Sequence, residues 1–148
     1  MFGRIVVGTD GSDTAGEAVR QATELARLSG ARLDIVSAFE PIPQQRIKDE
    51  AREAPGDVQY EISPREDVNL ILDNANGDAR KEGLEEVQTH AREGDPADAI
   101  LDVAEEIKAD LIVVGNKGMT GARRFLLGSV PNKVSHHAPC SVIIVRTT

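Results

Sequence analysis

The chain has 148 residues, 25 acidic against 17 basic side chains and a formal net charge of −8, which fits one domain and argues against a general DNA- or RNA-binding role. An aromatic content of 3% without tryptophan leaves little for a base-stacking surface, and the single cysteine, Cys140, excludes an internal disulfide or a thiolate zinc cluster. The apolar runs fall far short of the ~18 residues of a membrane span, and the start MFGRIVVG lacks a signal-peptide layout, so the expectation is a single cytoplasmic domain over residues 1–148, with no nucleic-acid or membrane partner.

Residues 4–9 (RIVVGT) form a short β-branched run, as expected of a strand buried on both faces. A polar corner, Asp10-Gly11-Ser12-Asp13, follows. Thr14 and Glu17 then stand at capping-box spacing before a helix whose face is Ala15, Ala18, Val19, Ala22, Leu25 and Ala26, with Gly30 at its C-cap. Residues 33–39 (LDIVSAF) read as the second strand. Strand–helix–strand order predicts a right-handed crossover and a parallel sheet.

Residues 40–62 are interrupted by Pro41, Pro43 and Pro55 and follow Ala38 closely, a placement that suits a flap. Ser63-Pro64-Arg65-Glu66 opens a second helix with proline at its first position, and Val68, Ile71, Leu72, Ala75 and Ala79 form its apolar stripe. A weakly patterned strand is expected over 86–91. Asp95-Pro96 starts a third helix faced by Ala97, Ile100, Leu101, Ala104 and Ile107. Residues 111–114 (LIVV) are the clearest buried strand. A glycine-rich stretch over 115–129 leads to a helix beginning near Val130 or Pro131, and residues 141–146 (SVIIVR) close as a fifth strand. The expected fold is an open α/β sandwich of five strands and four helices.

The charge is uneven along this order. From Leu111 onward there is no Asp or Glu, while Lys117, Arg123, Arg124, Lys133 and Arg146 remain; the preceding residues hold 25 acids against 12 bases. An acidic chain that clears one glycine-rich quarter of carboxylates points to an anion there. In open parallel sheets, ligands sit beyond the carboxyl ends of the strands where the strand order reverses. Two such ends stand out, Gly8-Thr9-Asp10 and Gly115-Asn116-Lys117-Gly118. Gly128-Ser129 adds free amides and a hydroxyl at a helix start, where the dipole favours a phosphate.

Gly115, Gly118 and Gly128-Ser129 stand as G-x2-G-x9-G-S, and with the Gly8-Thr9-Asp10 turn and the closing SVIIVR the chain resembles the nucleotide-binding universal stress proteins along its whole length. The resemblance implies a sheet in the order 3-2-1-4-5 and an adenine nucleotide, ATP first, in the crevice between strands one and four. It puts Asp10 at the ribose hydroxyls or near a Mg²⁺ ion accompanying ATP, with Gly8 and Thr9 beside the adenine and ribose. Ala38 and Val114 would flank the base. Gly115, Lys117, Gly118, Gly128, Ser129 and Val130 would wrap the ribose and phosphates. It also implies a homodimer through the last strand, from Ser141 to Arg146.

Two departures bear on the ligand. Pro131 stands where relatives often offer another amide, and proline has no N–H. Ala38 stands where valine is frequent. Both make cyclic AMP a competitor for the same pocket, since a cyclic monophosphate asks for fewer donors. A catalytic reading finds little support: Asp10 and Asp13 are one residue too far apart for D-x-D-x-T, and the G-x4-G-K-[ST] and G-x-S-x-G elements are absent. The expected function is regulatory binding in a stress response, with slow ATP hydrolysis or self-phosphorylation left open. An interaction module without nucleotide is the remaining alternative. Plainer readings stay beside these: Asp10 as a capping acid, Arg123 and Arg124 as solvated charges, His136 and His137 as cations at a helix C-terminus, and Cys140 as an inert thiol.

Overall fold

The computed structural model of the chain describes residues 2–40, 64–116 and 127–147. In chain order these form β1 (Arg4–Gly8), α1 (Asp13–Ser29), β2 (Arg32–Phe39), α2 (Pro64–Lys81), β3 (Val87–Glu93), α3 (Pro96–Ile107), β4 (Leu111–Gly115), α4 (Ser129–His137) and β5 (Ser141–Val145). The strands make one five-stranded sheet in the order β3-β2-β1-β4-β5, and every pairing is parallel. This is the α/β architecture the sequence predicts.

Strand alternation divides the core into two layers. Ile5, Val7, Leu33, Ile35, Leu111 and Val113 pack with α1 and α2 on one face, where Ala18, Ala22, Val68 and Leu72 meet them. Val6, Val36, Ile112 and Val114 face α3 and α4, against Ile100, Val103 and Val134. Because helices cover both faces, β1 and β4 carry apolar residues at consecutive positions. Each such side chain stabilises the fold by roughly 1.5–3 kcal/mol when fully buried. The edge strand β3 is mostly exposed or half-buried, with the pattern Beeiiie, which accounts for its faint apolar signal. It runs later than the expected 86–91.

The helix ends differ in two respects from expectation. Ser12, not Thr14, caps α1, its hydroxyl accepting from the Ala15 N–H at 3.2 Å. Glu17 pairs instead with Arg20, at 2.6 and 2.9 Å. Gly11, at φ 83°, turns the chain back so that Ser12 reaches the cap. Gly30 does end α1 in the left-handed region, at φ 69°. Pro64 is the first residue of α2, and Asp95 caps α3 ahead of Pro96 by accepting from the Asp98 N–H at 3.0 Å. Helix α4 starts at Ser129, one residue before the earlier of the two expected positions. The cap residue Ser63 and the flap expected within 40–62, beyond Glu40, lie outside the described residues.

Candidate functional site

The sheet reverses between β1 and β4: the chain leaves β1 toward β2 on one side, and β4 returns on the other. The carboxyl ends of β1 and β4 therefore flank a crevice at the switch point. Gly8, Thr9 and Asp10 lie at one lip. Gly115 lies at the other, with Gly128, Ser129 and Val130 joined to it through Asn116.

At the β1 lip the local bonds are already assigned. Gly8 lies against α3, where a Cβ would come within 2.4 Å of Ile100 Cδ1, so its lack of a side chain serves helix packing. The Thr9 N–H donates to the Val36 carbonyl at 2.9 Å, and its hydroxyl accepts from the Gly11 N–H at 3.1 Å. Asp10 is exposed, and its Oδ1 accepts from both the Ser12 N–H (2.9 Å) and the Ser12 hydroxyl (2.5 Å). That leaves Oδ2 open to an incoming hydroxyl.

At the β4 lip, Asn116 connects three segments. Its N–H donates to Val145 O at 2.9 Å and its carbonyl accepts from the Gly128 N–H at 2.9 Å. Its Oδ1 accepts from the N–H and the hydroxyl of Thr147, at 2.9 and 2.8 Å. Gly128 is the N-cap of α4, with no side-chain cap bond, and its amide is occupied by Asn116. The first amide of α4 turned back into the helix is that of Asn132, bonded to Gly128 O at 3.1 Å. Among the described residues, Ser129 and Val130 thus keep unbonded N–H groups at the helix start, and Pro131 has none to give. With the Ser129 hydroxyl they stand at the positive end of the helix dipole, an arrangement chemically suited to an anion.

The two base-flanking positions are less open. Val114 is 2% exposed within the core, whereas Ala38 is half-buried at the end of β2. Lys117, Gly118, Arg123 and Arg124 lie outside the described residues. Lys133, counted among the cations of the acid-free segment, bonds to Asp98 at 2.8 Å and Asp95 at 3.4 Å. Those carboxylates hold its ammonium above the ordinary lysine range. Its charge joins α4 to the start of α3 rather than standing free for an anion. Next to the crevice, a groove of about 410 Å³ runs between α1 and α2 from Thr9 and Gly11 toward Lys81 and Glu82.

Comparison with known proteins places this architecture. The model of the universal stress protein family matches residues 1–146. The chain belongs to the universal stress protein family. It is 40% identical over 144 residues to the universal stress protein Rv1636 of Mycobacterium tuberculosis, covering 97% of this chain and 96% of that protein. A universal stress protein solved in complex with cAMP superposes with a TM-score of 0.74 at 36% identity, over 99% of both chains. The Archaeoglobus fulgidus universal stress protein solved in complex with dAMP gives 0.65 at 31% identity, over 97% of this chain and 98% of that one.

Among the described residues no group of three or more His, Cys, Asp or Glu could hold a metal ion, and no helix is long and apolar enough to cross a membrane. His136 Nδ1 lies 2.8 Å from the Asn132 carbonyl in the last turns of α4. Cys140 is half-buried, and burial, with Asp110 nearby, pushes its thiol up and away from the reactive thiolate. Asn116 escaped the sequence reading. An Asn directly after a buried strand is a turn former, but its partner Thr147 lies at the other end of the glycine-rich quarter, beyond any local pattern.

Proposed function

We propose that this protein is a regulatory adenine-nucleotide binder and that its ligand carries a single phosphate, with cyclic AMP ahead of ATP. The observation that carries the reading is the start of α4. It offers two free amides and one hydroxyl, because Asn116 occupies the Gly128 N–H and Pro131 has none. That set matches one phosphate group. ATP, which the sequence ranks first, has three phosphates, more than the described donors of α4 match. The universal stress proteins solved with cAMP and with dAMP support the same class of ligand.

In this reading Asp10 Oδ2 accepts from a ribose hydroxyl, Thr9 and Gly8 border the sugar, and Ala38 borders the base. Gly115 lets the ligand pass close to the backbone at the end of β4, and Ser129 and Val130 hold the phosphate. Lys117 and Gly118 complete the cradle in the family pattern. The described residues fit a Mg²⁺ ion poorly, since Asp10 is a single carboxylate with one oxygen already given to Ser12; such an ion would arrive with a polyphosphate. The edge strand β5, half-exposed and apolar, would pair with its own copy in a homodimer.

The test is mass spectrometry of small molecules released from freshly purified protein, followed by calorimetric titration with cAMP and ATP. The same titrations on Gly115→Glu, which places a carboxylate in the crevice, provide the control. Tighter binding of cAMP, abolished by the substitution, is the expected result. Tighter binding of ATP would overturn the monophosphate assignment. Binding of neither would leave an interaction module.

A further inference from the structure

We infer that Asn116 is a positioning residue for the phosphate-binding turn and that Thr147, beyond the last strand, is its anchor. The inference rests on the nucleotide reading above and names which part of the chain sets the geometry of that site.

The start of α4 lacks a side-chain cap, because its N-cap is Gly128. Packing of Val134 and the Lys133 bridges seat the body of α4, while the described bond that ties its first residue to the β4 lip is from the Gly128 N–H to the Asn116 carbonyl, at 2.9 Å. The direction of that carbonyl is fixed by the other bonds of Asn116. The Asn116 N–H is held by Val145 O at 2.9 Å, and its side-chain oxygen receives two bonds from Thr147, at 2.9 and 2.8 Å. A backbone N–H can only donate, so the carboxamide atom facing the Thr147 N–H must be the oxygen, and the orientation of this amide is unambiguous. Both side chains are half-buried, where such bonds are less exposed to competition from water than on the open surface. The result is a short chain of contacts from Thr147 through Asn116 to Gly128, with the free amides of Ser129 and Val130 next in line. A residue without an acceptor at position 116 would free the Asn116 carbonyl from its side-chain anchor and loosen the aim of the amides that follow Gly128.

The test compares cAMP with adenosine, which lacks the phosphate, by calorimetry on the parent protein, Asn116→Ala, Thr147→Val, Thr147→Ser and the Asn116→Ala/Thr147→Val pair, with thermal unfolding of each in the absence of ligand. One or two lost hydrogen bonds correspond to roughly a 5- to 10-fold change in affinity. Asn116→Ala should weaken cAMP by about that factor and adenosine by less than about twofold. Thr147→Val should act in the same direction, Thr147→Ser should restore the parent affinity, and the double variant should be no weaker than Asn116→Ala, the mark of one shared interaction. Equal weakening of cAMP and adenosine, tracking a fall in unfolding temperature, would show a purely structural role and overturn the inference. So would parent-like affinity in Asn116→Ala. A parent protein that binds neither ligand overturns the nucleotide reading and this inference with it, whereas a parent that binds beside variants that bind equally removes this inference alone.

Discussion

Asp34 and His90 meet across β2 and β3, with His90 Nε2 2.7 Å from Asp34 Oδ2. Asp34 is fully buried, and Arg32 of the same strand closes on it with two further bonds, at 2.8 and 2.9 Å. Burial pushes the Asp34 carboxyl up, but the hydrogen bonds from His90 and Arg32 outweigh it and hold the group below the ordinary value of 3.8. The His90–Asp34 hydrogen bond thus ties the edge strand β3 to β2 on the face covered by α3.

Asp34→Asn should destabilise the protein by about 3 kcal/mol, because it leaves Arg32 and His90 facing a neutral amide. The sign of the pH dependence follows from a depressed folded value. The stabilisation is complete above the unfolded carboxyl value, near 3.8, and is lost as the pH falls through the lower folded value. Thermal unfolding of parent and variant between pH 7 and pH 3 checks this. The gap between them should be constant down to about pH 5 and shrink below about pH 4. A gap independent of pH would mean that packing, not charge, makes Asp34 matter.

Gly8 gives a second prediction, in which a glycine at the crevice lip owes its identity to the core. A Cβ there would lie 2.4 Å from Ile100 Cδ1 and 3.0 Å from Cγ1. The contact is with the far end of a flexible side chain, so Gly8→Ala should fold but lose about 1–2 kcal/mol through overpacking. Ile100→Val deletes the clashing methyl. The double variant should therefore cost less than the sum of the single ones, as measured by denaturant unfolding, with the coupling exceeding about 0.5 kcal/mol. Additive costs would mean that Gly8 is required for some other reason.

These two relationships show where a linear reading stops. The strands β1 and β4 are legible because both faces are buried, so apolar residues run consecutively through RIVVG and LIVVG. The two lips of the switch point are legible because each buried strand ends in glycine, at Gly8 and Gly115. Strand β3 is faint because Gln88, His90 and Arg92 answer to an ion-pair network and an exposed edge, not to a core; Arg92 reaches Glu106 on α3 at 2.6 Å. The α1 cap was ambiguous because Ser12 and Thr14 are both suitable caps, and only the turn at Gly11 selects Ser12. Lys133 reads as a free cation until the fold brings Asp95 and Asp98 to it. For β3 and Lys133 the missing information is a partner distant in the chain; for the α1 cap it is the local backbone turn at Gly11.

The ligand preference gives a third prediction. Pro131 occupies the third position of α4, where an ordinary residue would present a free N–H at the helix start. Pro131→Ala restores that donor while trimming a buried ring, so it should lower the unfolding temperature and raise the affinity for ATP relative to cAMP. One added charge-assisted bond corresponds to a change in the affinity ratio of about 10-fold. Calorimetric titration of both nucleotides into parent and variant reads the ratio directly, and the loss of stability enters both titrations equally. An unchanged ratio would mean that the donors of α4 do not set the phosphate number.

The last prediction concerns β5, which lies at the end of the sheet and pairs with β4 alone. Among the described residues no strand pairs with its outer edge, and Ile144 is 38% exposed. An apolar edge strand without a protecting charge, proline or bulge invites pairing with another copy. The segment Ser141–Val145 would serve both partners in an antiparallel arrangement, the one a two-fold axis between the strands produces. The expected state is a dimer at micromolar concentration by multi-angle light scattering, converted to a folded monomer by Ile144→Asp, which places a charge where the two strands would meet. The variant should keep the circular dichroism of the parent, because position 144 is already partly solvated. A monomeric parent would sink the dimer, and a dimeric Ile144→Asp would move the interface elsewhere. Since Asn116 N–H bonds to Val145 O at the end of this same strand, the monomeric variant also measures whether the edge strand must be paired for the phosphate turn to hold its shape: parent-like cAMP affinity in the monomer would make each protomer's site complete by itself.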